Sequence, residues 1–156
     1  MMDIFIEKVA INHSKLIWEW RNDLETRKMS FNGELIDWKS HNEWYTKTLN
    51  DKSIYFYMGK SQNKNIGIIR FKRNKKDFKV YKVSINIAPN MRGKGLSKKF
   101  LKKGIQKFLF DNKSAKYLEA EIKISNERSY NLFLKTGFEK TNSDYKNMNI
   151  MRLKLE

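Results

Sequence analysis

The chain has 156 residues, 40% hydrophobic and 13% aromatic, which suits one domain (residues 1–156) with a single core and excludes a disordered tail. It has no cysteine and only two histidines, His13 and His41, so a disulfide framework and a thiolate nucleophile are excluded and no metal site is expected. The net charge of +16 comes from lysine spread along the whole chain, and it reads as composition because no zinc-finger spacing or RRM-type aromatic motif accompanies it. Specific nucleic-acid binding is therefore not expected. No apolar run of about 18 residues is present and the start lacks a basic-then-apolar order, so a cytoplasmic chain without membrane insertion is expected.

Residues 2–9 read as a first strand, with Ile4 and Ile6 on one face and Phe5 on the other. Asn12 is placed to cap a helix running to about Lys28, with Leu16, Ile17, Trp20 and Leu24 at core spacing. A second helix is expected from Asp37 to Leu49, including Trp38, Trp44 and Tyr45. The period then shortens. The segments SIYFYMGK, NIGIIRFKR and DFKVYKVSINIA read as an antiparallel meander with polar turns between them. A helix from Leu96 to Phe110 follows, with Phe100, Leu101, Ile105, Phe108 and Leu109 as its buried stripe. AKYLEAEIKI is a strand with Leu118, Ala120 and Ile122 on one face and Glu119 and Glu121 on the other. A short helix from Asn126 to Thr136 stops at Gly137, and strands from Phe138 and Ile150 close the chain. The order β-α-α-β-β-β-α-β-α-β-β gives an α/β (α+β) class: one mixed, mostly antiparallel sheet of about seven strands with about four helices.

Ile85 to Ser97 is the most informative stretch, a strand leading through a glycine-bearing loop into a helix. Unpartnered N–H groups at such a junction, with the positive end of the helix dipole, form a cradle for an anion. Gly93 and Gly95 permit close approach, and Arg92 and Lys94 add charge. The spacing fits neither GxxxxGK[ST] nor GxGxxG. Arg92-Gly93-Lys94-Gly95-Leu96-Ser97 instead resembles the pyrophosphate loop of the GNAT N-acetyltransferase superfamily, with serine at its last small position. Asn126, Ser129, Leu132, Phe133, Gly137 and Phe138 resemble the family's second signature, one helix and one strand further on.

The resemblance implies acetyl-CoA as acetyl donor and no metal. Its pantetheine arm would bond to Ile85, Asn86 and Ile87, and its pyrophosphate would rest on Arg92, Gly93, Lys94, Gly95, Leu96 and Ser97. Asn126 and Phe133 would meet it from the other side. An amine must lose a proton to attack a thioester, so a base is required. Glu121, five residues before Asn126, stands where family members carry a catalytic glutamate; the alternative is an ordinary strand carboxylate. The family's usual acid is a tyrosine at the position of Phe133, which has no hydroxyl. Tyr130, one helical turn earlier, is the substitute, with Tyr145 as another.

Trp18 to Asp23, Arg27, and His41 to Trp44 resemble the acetyltransferases of nucleotide-linked amino sugars, in particular those of pseudaminic acid biosynthesis, a route to surface-glycan and flagellin sugars. The implied acceptor is the 4-amino group of a UDP-linked amino-dideoxy sugar. Arg21, Asn22, His41 and Trp44 are the substrate-binding candidates, with Arg21 and Arg27 available to a diphosphate. Core packing is the default role of the tryptophans. Two readings stay beside this one: a protein N-terminal acetyltransferase of the ribosomal-protein type, and a non-catalytic GNAT-like binding module. A polycationic aminoglycoside suits so basic a chain poorly. The oligomeric state is left between monomer and homodimer.

Overall fold

The computed structural model describes residues 3–143 and 145–156. Its sheet contains β1 (Phe5–Lys8), β2 (Ile54–Ser61), β3 (Lys64–Arg73), β4 (Val80–Ile87), β5 (Tyr117–Lys123), β6 (Glu139–Lys140) and β7 (Met148–Lys154). The spatial order is β1-β2-β3-β4-β5-β7-β6, and only the β4–β5 pairing is parallel. The helices are α1 (Ser14–Arg21), α2 (Leu24–Met29), α3 (Trp38–Leu49), α4 (Ser97–Asp111) and α5 (Glu127–Lys135), with short 3-10 turns at Ile11–His13 and Pro89–Met91. The mixed seven-stranded sheet and the α/β class agree with the sequence. The first strand was expected from residue 2, which lies outside the described residues.

Among the described residues five α-helices stand where about four were expected, because the long first helix is broken. Asn22 closes α1, and Asp23 leaves the helical region to cap α2, accepting the Thr26 N–H at 3.1 Å. The break turns Leu24 outward to 58% exposure, while Ile17 and Trp20 stay in the core as their spacing requires. Asp37 caps α3 through the Ser40 N–H at 2.9 Å. Gln62 and Asn63 both take positive φ, which is the two-residue turn that matches the twist of the β2–β3 hairpin.

Two layers of helix cover the sheet. On one face α4 packs across β2 and β3, with Phe108 stacked on Phe71 at 4.3 Å between ring centroids. Close approach here needs glycine: a Cβ on Gly67 would stand 2.6 Å from the Asn86 carbonyl oxygen and 3.0 Å from the Phe100 ring. Leu118, Ala120 and Ile122 of β5 are buried, while Glu121 on the alternate set is exposed. On the other face α3 packs Trp44 and Tyr45 against Phe56 of β2. Arg70 of β3 and Lys82, Ser84 and Asn86 of β4 share that second face by register.

Gly67→Ala should lower stability by about 1–3 kcal/mol through overpacking, because the nearest obstacle is backbone rather than a flexible side chain. Denaturant midpoints measure this; an unchanged midpoint would show that β3 and β4 can shift apart freely.

Candidate active site

Strands β4 and β5 pair over only three positions: Val80 with Tyr117, Tyr81 with Leu118, and Lys82 with Glu119. Beyond Lys82, β4 continues to Ile87 held by β3, and beyond Glu119, β5 continues to Lys123 held by β7. The two strands therefore part into a wedge. Ala88 N–H donates to the Ile66 carbonyl of β3 at 2.8 Å. Alternation then turns the backbone groups of Asn86 and Ser84 toward β3, and those of Ile87 and Ile85 into the wedge. Ile85 and Ile87 thus present an unpaired strand edge, whereas the Asn86 backbone is already occupied. The Asn86 side chain is occupied as well, accepting the Thr26 hydroxyl at 3.3 Å.

The glycine loop follows at the wide end. Gly93 and Gly95 have φ of 74° and 71°, in the left-handed region, and a Cβ at either would meet nothing within 4 Å. The glycines are needed for backbone conformation, and the space over them is open. Leu96 precedes α4 without any side-chain cap. Among the described residues, no acceptor meets the N–H groups of Gly93 through Lys98. Such a run of free donors, together with the N-terminal end of a 15-residue helix, suits a diphosphate. Lys94 is exposed beside it, and Ser97 begins the helix.

Arg92 is turned elsewhere. Its guanidinium pairs with Asp23 at 2.8 Å and donates to the Thr26 hydroxyl at 2.8 Å, fastening the loop to the α1–α2 break. Burial alone would raise the Asp23 carboxyl, but Arg92 and the Thr26 N–H outweigh it and hold the carboxyl below its usual range.

Glu121 lies exposed on β5 at the wedge, its Oε1 3.6 Å from the Lys82 ammonium. Lys123, at the end of the same strand, reaches across to the Lys28 carbonyl of α2 at 3.2 Å. Asn126 caps α5, accepting the Ser129 N–H at 3.2 Å and donating to the Ser129 hydroxyl at 3.1 Å. Phe133 is buried against Phe138. Tyr130 sits on α5, which packs on α4 and covers the Leu118 face of β5, opposite Glu121. Tyr145 is on the Glu121 side, lining a 640 Å³ cavity with Glu119, Ile150 and Arg152.

The acceptor-side candidates divide. Arg21 and Trp44 come together, the guanidinium carbon 4.1 Å from the ring centroid. His41 has no exposed surface. It accepts from Arg21 Nη1 at 3.0 Å through Nδ1 and donates from Nε2 to the Ser14 carbonyl at 2.8 Å. Burial holds this ring below the usual histidine pKa, and it is neutral at pH 7. His41 therefore stands behind Arg21 and is shielded from solvent. Asn22 spends its side chain on the backbone of Ile36, donating to the carbonyl and accepting from the N–H, both at 2.8 Å. Arg27 is engaged with the Asn22 and Gly33 carbonyls. Sequence reasoning missed Arg70, which adds a second guanidinium 5.2 Å from the Trp44 centroid.

A splayed parallel strand pair leading to a free-donor glycine loop defines a coenzyme A-dependent acyltransferase. The chain belongs to the GNAT acetyltransferase family: residues 3–139 match the family's model, described as the acetyltransferase (GNAT) domain. It is an acetyltransferase that takes acetyl from acetyl-CoA and transfers it to an amine. No curated protein matches the chain significantly. Among solved structures it is similar to spermidine N-acetyltransferase from Vibrio cholerae in complex with CoA and spermine, at TM-score 0.85 and 16% identity over 97% of this chain and 95% of that one. It is similar to aminoglycoside acetyltransferase AAC(6')-Ib with coenzyme A and kanamycin, at TM-score 0.84 and 16% identity over 97% and 95%. A domain from Methanocaldococcus jannaschii DSM 2661 aligns at TM-score 0.83 and 22% identity over 99% and 100%. At such identities the likeness is one of fold.

Two expectations follow. Gly93→Val or Gly95→Val should weaken CoA binding measured by calorimetry, because a β-branched residue is strained at positive φ and draws the loop out of its donor geometry; the same strain should cost about 1–3 kcal/mol of stability, and unchanged CoA affinity in both would remove the loop from the site. Asp23→Asn keeps the cap but loses the charge, and should cost about 1 kcal/mol at pH 7. The lowered Asp23 pKa contributes stability above the unfolded value of about 3.9 and loses it as pH falls through the folded value. The gap between wild type and Asp23→Asn should close in that acid range; a gap independent of pH would contradict the ion pair.

Proposed function

We propose that this enzyme acetylates the primary amine of a nucleotide-linked amino sugar, the 4-amino group of a UDP-linked amino-dideoxy sugar being the acceptor that best suits the groove. One observation carries this reading: cations gather on the sheet face that carries Glu121. Arg70 and Lys82 share the sheet face of Glu121 by register, Arg21 joins Arg70 at the Trp44 ring and Lys123 ends β5, while Glu119 on that face is paired with Arg152 at 3.2 Å. The spermine and kanamycin named for the two similar structures are polycations. Such an acceptor would meet like charge here, and an acceptor carrying a diphosphate would meet opposite charge.

Bound acetyl-CoA supplies an activated thioester. The chain's own residues position it and move the proton. Ile85 and Ile87 offer backbone hydrogen bonds in the wedge, and the loop from Gly93 to Lys98 holds the diphosphate. Glu121 takes the amine proton, directly or through one water, its carboxylate oriented by Lys82. Tyr145, on the Glu121 side of the sheet, is the hydroxyl on hand for the departing thiolate; Tyr130 lies across the sheet from it.

Thiol release from acetyl-CoA, measured with UDP-amino sugars, N-terminal peptides and aminoglycosides as acceptors, tests the substrate class. Turnover only with peptides or aminoglycosides would overturn it. Glu121→Gln keeps the shape and removes the basic oxygen. It should lower kcat by about 10²–10⁴ with little change in CoA affinity, and the loss should shrink at high pH as the amine deprotonates in solution. A variant with wild-type kcat at pH 7 would remove Glu121 from the base role.

A further inference from the structure

We propose that Arg21, Trp44 and Arg70 together form a phosphate-binding site for the acceptor, with both guanidiniums held against the Trp44 ring. This rests on the nucleotide-sugar reading and names the residues that would recognise its diphosphate. The guanidinium carbons lie 4.1 Å (Arg21) and 5.2 Å (Arg70) from the same ring centroid. Among the described residues, neither has a carboxylate within ion-pair distance, although the chain pairs Arg92 with Asp23 and Arg152 with Glu119.

Two guanidiniums held this way without a carboxylate are a costly arrangement. Burial, and then repulsion from Arg70, lowers the Arg21 pKa to about 10, and burial lowers that of Arg70 as well. An anion between them would relieve both effects. Their orientation is prepared in advance. Buried, neutral His41 fixes Arg21 through Nδ1, and the Ser14 carbonyl fixes the tautomer of His41. Paired planar forks suit phosphate oxygens better than flexible lysines do.

The location suits an acceptor. Arg70 is in register with Ser84, which is exposed on the same sheet face, two residues from Lys82 and its partner Glu121. At least two strand spacings, about 10 Å, separate β3 from β5. A pyranose ring spanning that interval would place its amine at Glu121 and its anomeric phosphate toward Arg70. The site is separate from the glycine loop, whose donors are the backbone groups of residues 93–98.

The test is UDP binding to the full chain by calorimetry, with CoA at saturation so that the glycine loop is filled. Arg21→Met and Arg70→Met should each raise the UDP Kd about ten- to a hundredfold, the loss of a charge-assisted contact. Inorganic pyrophosphate should show the same dependence more weakly, and any binding of uridine should be unaffected. CoA affinity and thermal midpoint are read in each variant; should a methionine variant fail to fold, Arg70→Lys and Arg21→Gln replace it. UDP affinity that is absent in the wild type, or equal in the wild type and the folded variants, overturns the site. If UDP binds as expected but no UDP-amino sugar is acetylated, the functional reading fails and the phosphate site stands. If a UDP-amino sugar is acetylated with an unchanged KM in Arg70→Met, the site fails and the functional reading stands.

Discussion

The parting of β4 and β5 after three paired residues is the constraint on which the rest of the structure depends. A sheet interior leaves few backbone groups unpaired, because each one buried without a partner is costly. Here the outer strands hold the wedge open: β3 grips β4 as far as Ile87, and β7 grips β5 as far as Lys123. The exposed edge of Ile85 and Ile87 is therefore a fixed template for an extended polar ligand. The glycine loop at its wide end continues the template with free N–H donors, and Arg92 ties that loop to the α1–α2 break. The break in the first helix thus anchors the loop through Asp23 and Thr26, while Arg21, two residues before Asp23, packs on Trp44.

Features set by local backbone demands were legible in the sequence. Gly93, Gly95 and Gly137 occupy positive φ, where glycine is the favoured residue, so their spacing carried the resemblance to the family. The strand alternation that sets Glu121 apart from Leu118, Ala120 and Ile122 was legible for the same reason. What depended on distant partners was not. Leu24 continues the helical spacing of Ile17 and Trp20, and nothing local announces that Asp23 will leave the helix to serve as both a cap and the partner of Arg92. His41 reads as a polar residue on a helix, yet the carbonyl of Ser14, 27 positions away, draws it fully inside. Arg70 looks like any cation on a strand until α3 lays Trp44 over it.

Electrostatics in this chain has a dispersed part and a local part. Its charge of +16 alone reads as composition, and most of its lysines are dispersed. The local part is the pair Arg21 and Arg70 at Trp44, neither with a carboxylate partner among the described residues, and the glycine loop with its free backbone donors. In the proposed reading, both substrates are phosphate-bearing molecules recognised by different means, one by peptide N–H groups and one by guanidinium forks.

Amide hydrogen exchange with and without CoA tests the wedge most directly. The account predicts that CoA protects the amides of Ile85, Ile87 and residues 93–98, and leaves those of Ser84 and Asn86 unchanged because β3 already holds them. Protection of Ser84 and Asn86 instead, or no change at Ile85, Ile87 and the glycine loop under saturating CoA, would contradict it.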